Sequence, residues 1–535
     1  MPSGDPVSVE VAKALDEVGI TEGDLAALSV HGPAALSDFS RSNKLLAVLE
    51  DGGQLRFHGV EGSKLIDLAL VVGLKQLRED CLEEKLGGAV ASQLLIPYRP
   101  LANERLLRRL ELEYKQHVVA ESLQNLVLEH RLAASRLIVK PEYFLYDKLR
   151  RLTAIYPPSR RFVKEMLRTR GEVNIVLDGF LKAIKDLVDQ GILEERRGGY
   201  SPTDRFVHEV LSRKTVYDRF SDELEHFLKL YLTASFSSPL DAIKNIRFDL
   251  DVLVPVKIPD PSKMLYMETS IGPQPLAMSR GIRDFIRETY GVRPIDVKLR
   301  KVGSVFNSTY LASFKIDGRE EKIFVKKYLN WTDFKWVAAW LWAIGVKNFS
   351  VLASSRMSNE IYFINKLSEL GFNTAEILHI NWPKKIIFQR FIDGADGLKA
   401  LKNADEPRIF DDISYRMGKT LAEVHEKGIC IGDCNPFTFI FGSDGKIYLI
   451  DLEQCSFEDS KSWDLCELLF YTAHYLSSEE ADRFSKNVVQ GYLKVGEEDV
   501  VKDALDQRFL RIFVPWTPLW IQSKIRKAVT EILRS

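Results

Sequence analysis

Cysteine is scarce in this chain, with five in 535 residues, and Cys430, Cys434, Cys455 and Cys466 fall late while Cys81 stands alone. An odd number without a C-x2-C pair excludes a disulfide scaffold and gives no zinc or iron–sulfur pattern, so the thiols read as buried groups in a reducing compartment. Long hydrophobic runs are absent too. No stretch reaches the roughly 20 apolar residues that a spanning helix needs, and there is no secretory leader, so a cytoplasmic protein with no membrane partner is expected. Charge of one sign is also missing. Lys and Arg number 74 against 75 Asp and Glu, so no global field draws the chain to nucleic acid or lipid, and any such binding has to be local. Internal repeats and low-complexity tracts are lacking, which excludes a solenoid. The length allows three or four domains, each with its own core.

What is present concentrates near the C-terminal end. IGDCNPFTFIF (431–441) is followed by the turn Ser443-Asp444-Gly445 and then by KIYLIDLEQ (446–454). Two short apolar runs around such a turn predict a hairpin, with Asp433 before it and Asp451 after it. A lone aspartate beside a strand is commonly a turn or cap residue. Two facing one cleft suit phosphoryl transfer, where one carboxylate orients or deprotonates the attacking hydroxyl and another holds a magnesium ion on the nucleotide phosphates.

IGD-x4-T…LIDLE resembles the HGD-x4-N…DFG signature of the RIO-type and aminoglycoside-phosphotransferase-like branches of the protein-kinase-like superfamily. The resemblance implies ATP as phosphoryl donor and magnesium or manganese as the metal. It makes Asp433 the catalytic base, Asp451 a metal ligand, and Asp464, in SKSWDLCELLFYTAHY, the buried helical acid that braces the catalytic loop. Two positions depart from it. Ile431 replaces the usual His, and Thr438 stands where an Asn normally binds metal; a hydroxyl is the weaker ligand, which leaves Asn435 or water as substitutes.

Upstream segments follow kinase order. EEKIFVKKYLNW (320–331) reads as a strand carrying the phosphate-pairing lysine, Lys326 or the adjacent Lys327, of which alternation lets only one enter the cleft. SSRMSNEIYFINKLSELGF (354–372) has Ile361, Ile364, Leu367 and Leu370 at helical spacing, and Glu360 resembles the glutamate that pairs with that lysine. KLRKVGSVFNSTYLASFKIDG (298–318) offers Gly303 and Ser304 as the phosphate-covering loop, although a single glycine between strands is commonly an ordinary turn. KKIIFQRFIDG (384–394) resembles the hinge strand, with Arg390 and Phe391 beside adenine. The insert WTDFKWVAAWLWAIGVKNFS (331–350) holds four of the eight tryptophans and reads as a buried or partner-facing helix. This insert and the WDLCELLFYTAHY helix resemble an archaeal group of predicted serine/threonine kinases over most of the chain.

The N-terminal half carries a damaged signature. LSVHGPAALSDFSRSNKLLAVLED (28–51) resembles the start of a nucleotidyltransferase domain, but Pro33 replaces the triphosphate-binding serine, and Ser42, Asn43 and Lys44 occupy the place of the paired carboxylates. Without those acids two magnesium ions cannot be held. Gly73 likewise stands where the next strand often ends in an acid. Residues 156–213 resemble a winged helix-turn-helix, with faces formed by Phe162, Met166 and Leu167 and by Phe180, Leu181, Ile184, Leu187 and Val188, and a hairpin at Gly198-Gly199. Lys182, Lys185, Arg196 and Arg197 are its candidate nucleic-acid contacts, diluted by Asp178, Asp186, Glu194 and Glu195. The C-terminal IQSKIRKAVTEILRS places Ile521, Ile525, Val529 and Ile532 on one helical face, as a cap for the last domain.

The expected architecture is multidomain, α/β and α+β: a degenerate nucleotidyltransferase-like domain (1–155), the winged helix (156–213), a connector (214–292) and a bilobal protein-kinase-like domain (293–535). The expected activity is that of an atypical serine/threonine protein kinase acting on a protein substrate. The alternatives are a nucleotide-binding pseudokinase that scaffolds protein or RNA, and a small-molecule kinase.

Overall fold

The computed structural model describes residues 6–32, 43–52, 55–155, 159–168, 170–213, 255–302, 308–330, 349–457 and 460–534. Mixed α/β structure with several small sheets divides into two compact units, Met1–Glu129 with Ala134–Tyr266, and His130–Ala133 with Met267–Ser535. The second unit thus takes in residues 267–292, the latter part of the expected connector. Residues 33–42, most of the expected connector at 214–254, the loop at 303–307 and the tryptophan-rich insert at 331–348 lie outside the described residues.

In the first unit a five-stranded sheet runs in the order Arg56–Gly59, Ile66–Gly73, Asn43–Leu49, Leu25–His31, Tyr98–Ala102. Asn43–Leu49 and Ile66–Gly73 pair in parallel and Leu25–His31 pairs antiparallel to Asn43–Leu49. Both faces of these central strands are buried, which explains their near-continuous apolar sequence. Helix Pro6–Val18 presents Val7, Val11, Ala14 and Leu15, spaced for one helical face, to Leu28, Val30, Leu45 and Val71. Further along, helix Arg170–Asp189 buries Phe180, Ile184 and Leu187, while Leu181 is 41% exposed because Ala183 takes its expected place on the inner face. Met166 is buried as expected, and the Phe162 side chain lies outside the described set. The wing hairpin pairs Arg196 with Gly199, so its turn is Arg197-Gly198, one residue earlier than expected, and Gly198 supplies the positive φ of 92°. Gly199 backs onto strand Leu137–Val139, where a Cβ would stand 2.6 Å from the Val139 carbonyl oxygen.

In the second unit an antiparallel sheet runs Lys298–Val302, Ser308–Ile316, Arg319–Lys327, Ile386–Arg390, Ile377–Asn381. Helix Ile282–Tyr290 covers one face with Phe285 and Ile286, which join Ala312, Phe314, Val325 and Phe388 in one core. The rest of the unit is helical around a small sheet that contains the expected hairpin, Phe439–Gly442 paired with Ile447–Leu449. Helices Pro407–Glu426 and Ser478–Tyr492 approach through Gly418 and Gly491, where a Cβ would come within 2.0 Å of the Val488 carbonyl oxygen and 2.1 Å of that of Tyr415. Only glycine permits that spacing. Helix Leu519–Arg534 buries Ile525 and Val529 and leaves Ile521 and Ile532 half-buried. Among the described residues no helix is long and apolar enough to cross a membrane.

Candidate active site

Strand Arg319–Lys327 directs Ile323 and Val325 into the core, and near its end Lys326 is 4% exposed while Lys327 is exposed. The Lys326 ammonium meets Glu360 Oε2 at 2.5 Å, Glu453 Oε2 at 3.0 Å, and the Asp451 carboxylate. Burial alone would lower its pKa; the charges of Asp451, Glu360 and Glu453 outweigh burial and hold it well above the ordinary lysine value. Lys326 is therefore a fixed cation.

Glu360 comes from helix Ala353–Glu369, which turns Ile361, Ile364 and Leu367 into the interior; Leu370, at the end of the helix, is 38% exposed. The Glu360 carboxylate also accepts from Tyr328 Oη at 2.8 Å and from Gln389 Nε2 at 3.1 Å. Glu453 accepts from Arg356 Nη1 at 2.8 Å, and both side chains are buried. Burial would raise the Glu453 pKa, but Lys326 and Arg356 hold it below the usual carboxylate range. Tyr328, Arg356, Gln389 and Glu453 are members of this network that sequence reasoning missed. Their signals were weak: Arg356 sits one helical turn before Glu360, and Glu453 lies two residues past Asp451.

Asp451 adopts left-handed backbone, φ 61° and ψ 48°, directly after the hairpin. That conformation is uncommon outside glycine and tolerated best by Asp and Asn. Its carboxylate is half-exposed, unlike the other two. Oxygens of Glu360, Asp451 and Glu453 lie within 4.8 Å of one another around the Lys326 ammonium, and of the three only Asp451 faces solvent, where a hard oxygen ligand suits a magnesium or manganese ion.

The loop holding Asp433 is fixed from beneath. Asp464, on helix Lys461–Ala473, accepts the Ile431 and Gly432 N–H groups at 2.6 and 2.7 Å and bonds His425 Nε2 at 3.0 Å; His425 Nδ1 meets Tyr492 Oη at 2.7 Å. Glu467, one turn further along, accepts the Cys434 N–H at 2.9 Å. Burial and the neighbouring Asp433, with which it shares a hydrogen bond, raise the Glu467 pKa well above normal. Asp433 is half-buried, and its pKa is raised to about 6, by burial first and then by the Asp451 charge, against the hydrogen bonds from Glu467 and Asn435. A carboxylate with that affinity suits proton acceptance near neutral pH.

The remaining expected ligands are occupied as follows. Thr438 is buried, donates its hydroxyl to the Asp433 carbonyl oxygen at 3.0 Å, and accepts from the Asn435 N–H at 3.3 Å. Asn435 donates to Asp433 Oδ1 at 2.8 Å while its own oxygen caps the Phe437 N–H at 3.0 Å. Both therefore brace the loop. Arg390 ends strand Ile386–Arg390, with its guanidinium paired to Glu376 at 2.8 Å and its N–H given to the Glu376 carbonyl. Phe391 lies under Lys322 Nζ at 5.6 Å. Gly303 and Ser304 fall outside the described residues. The structure thus brings Lys326, Glu360 and Asp451 together, with Asp433 close enough for the Asp451 charge to act on it. None of the five cysteines forms a disulfide, and all are buried.

In the first unit the described strand ends carry His31 and Asn43-Lys44, and a group of carboxylates and histidine, Glu84, His117 and Glu121, comes from other elements. His31 is fully buried, 2.8 Å from Ser29 Oγ and 3.0 Å from the Gln93 carbonyl, and is stacked on Tyr98. Lys44 Nζ lies 3.4 Å from Gln93 Oε1. Of the expected nucleic-acid contacts, Lys182, Lys185 and Arg197 are exposed, and Arg196 is paired to Glu194 at 2.6 Å. Neither a scan against protein-family models nor a search of curated proteins finds a match to this chain.

Proposed function

We propose that the second unit binds ATP with a divalent ion and transfers the γ-phosphoryl group to a serine or threonine hydroxyl of a protein substrate. The observation that carries this reading is the buried Lys326 held between Glu360 and Asp451, beside a loop that offers Asp433 with a pKa of about 6. Lys326 would pair with nucleotide phosphates and Glu360 would keep it in place. Asp451, with Glu453 next to it, would hold the metal, whose role when bound is to neutralise phosphate charge. Asp433 would accept the hydroxyl proton as the acceptor oxygen bonds phosphorus and the bond to ADP breaks. Asp464, His425 and Tyr492 position the loop from below and touch no substrate.

One observation favours a second reading, a nucleotide-binding scaffold without transfer: Thr438 and Asn435 spend their polar atoms on the loop, leaving fewer metal ligands. On either reading, the first unit serves as an inactive nucleotidyltransferase-like domain joined to a winged helix. The deciding experiment incubates the purified full chain with γ-labelled ATP, magnesium or manganese, and a proteome extract. Label on protein with wild type and none with Asp433→Ala is the expected result. Metal-dependent ATP binding without transfer would establish the scaffold instead, and label confined to small molecules would replace the protein acceptor.

A further inference from the structure

We propose that residues 514–520, at the start of the C-terminal helix, seat this protein peripherally on an anionic lipid surface. The turn VPWTPLW exposes large apolar side chains that a globular surface normally covers: Val514 and Trp516 at 44%, Leu519 at 62% and Trp520 at 71%. Neighbouring in sequence, they form one apolar protrusion.

The protrusion is held out by the fold. Thr517, in the middle of the turn, is fully buried, donates its hydroxyl to the Phe470 carbonyl at 2.6 Å, and gives its N–H to Phe513 at 2.7 Å. Gln522 Nε2 returns to the Thr517 carbonyl at 2.9 Å, and the Trp516 carbonyl oxygen lies 2.6 Å from His474 Nδ1. The tryptophans are thereby presented on a rigid base, which removes the ordering cost of docking.

Charge identifies the partner. From 506 to 534 the chain carries Arg508, Arg511, Lys524, Arg526, Lys527 and Arg534 against Asp506, which pairs with Arg508 at 3.6 Å, and Glu531, within a protein whose total charge is −1. On helix Leu519–Arg534 the exposed positions run Leu519 and Trp520, then Ser523, then Arg526 and Lys527, then Glu531, which Lys486 pairs at 3.2 Å, and Arg534. Seven residues of helix place the basic pair about 10 Å along the axis from the apolar tip, so a helix lying in the interface plane can set the tip among acyl chains and the pair against headgroup phosphates. Tryptophan favours that interface. A nucleic-acid partner would also meet the basic residues, but bases stack on flat rings, and the aliphatic Val514 and Leu519 gain nothing from them. Acyl chains accept both.

The test is flotation of the full chain with vesicles of phosphatidylcholine alone or with an added anionic fraction of phosphatidylglycerol. Binding is expected only with the anionic vesicles and should fall as salt rises. Leu519→Ser with Trp520→Ser, both exposed and outside the ATP cleft, should weaken it about tenfold or more while leaving the unfolding temperature unchanged. Arg526→Glu with Lys527→Glu should weaken it at least about 25-fold, at about fivefold for each basic residue lost near the surface. Equal binding to both vesicle types, no binding, or binding indifferent to the Leu519/Trp520 pair would overturn the proposal. Capture of single-stranded poly-uridine RNA, or concentration-dependent self-association, abolished by that pair without vesicle binding would overturn it too.

Discussion

Each unit brings a buried lysine to the end of a strand and surrounds it differently. In the second unit Lys326 and Arg356 face Glu360, Glu453 and Asp451, two cations against three anions, and the surplus negative charge sits on the half-exposed Asp451. In the first, Lys44 lies beside the amide of Gln93 and a histidine kept neutral, with its pKa lowered to about 3 by burial above all. Burying several charges in one cluster is expensive unless each is compensated. A cleft that leaves a carboxylate facing solvent invites a cation. The half-exposed Asp451 is the feature on which the proposed metal-dependent chemistry of the second unit rests.

The largest test of the contrast is catalytic. Asp433→Ala should lower phosphoryl transfer about 10²- to 10⁴-fold in single-turnover assays while leaving nucleotide affinity within a factor of a few, because proton acceptance acts during reaction. The same full-length variant should transfer no nucleotide to any acceptor; nucleotidylation by it would show that the first unit retains chemistry and would break the comparison.

A structural test comes next. Glu453→Ala leaves the Arg356 guanidinium buried without its carboxylate, and urea unfolding of the second unit should show a loss of about 3–5 kcal/mol. Arg356→Met with Glu453→Met should recover most of it, since the pair is removed together.

Smaller still is a pH effect to which His31 of the first unit contributes alongside His130 and His379 of the second, whose pKa values burial also lowers. The folded pKa of His31 lies below its unfolded value of about 6.5, so its contribution to stability is present above that value and is lost as pH falls from there towards about 3. His31→Phe should flatten the decline in melting temperature over that window. An unchanged decline would mean that other groups carry it.

The smallest expected effect concerns the winged region. If it binds nucleic acid, neutralising Lys182, Lys185 and Arg197 should make the logarithmic salt dependence shallower by about 3, while adding Arg196 should change little because Glu194 already pairs it. A full further unit of slope from Arg196 would show that the pair opens on binding.

Much of the second unit was legible because its signals are local. Ser443-Asp444-Gly445 specified the hairpin, and the spacing of Ile361, Ile364 and Leu367 specified the helix that carries Glu360. Alternation along 319–327 lets only one of Lys326 and Lys327 enter the cleft, and Lys326, the one favoured by the sequence, is the buried one. Glu453 and Arg356 were not legible, since their pairing joins residues 97 apart in sequence. Leu181 misled because Ala183 fills the inner face with a side chain that hydrophobic spacing underweights. The turn at 514–520 escaped for a related reason: periodicity shows which face of the last helix is apolar, but not that Thr517 is anchored and the tryptophans left out.

The central claim, that the Lys326 cleft binds a metal–nucleotide pair through Asp451, is tested most directly by calorimetric titration of ATP into the full chain with and without magnesium, for wild type and Asp451→Ala. Wild type should bind ATP measurably only with magnesium, and the variant should lose that dependence. Absence of metal-dependent binding in wild type at millimolar ATP, or identical isotherms for the two proteins, would contradict the account.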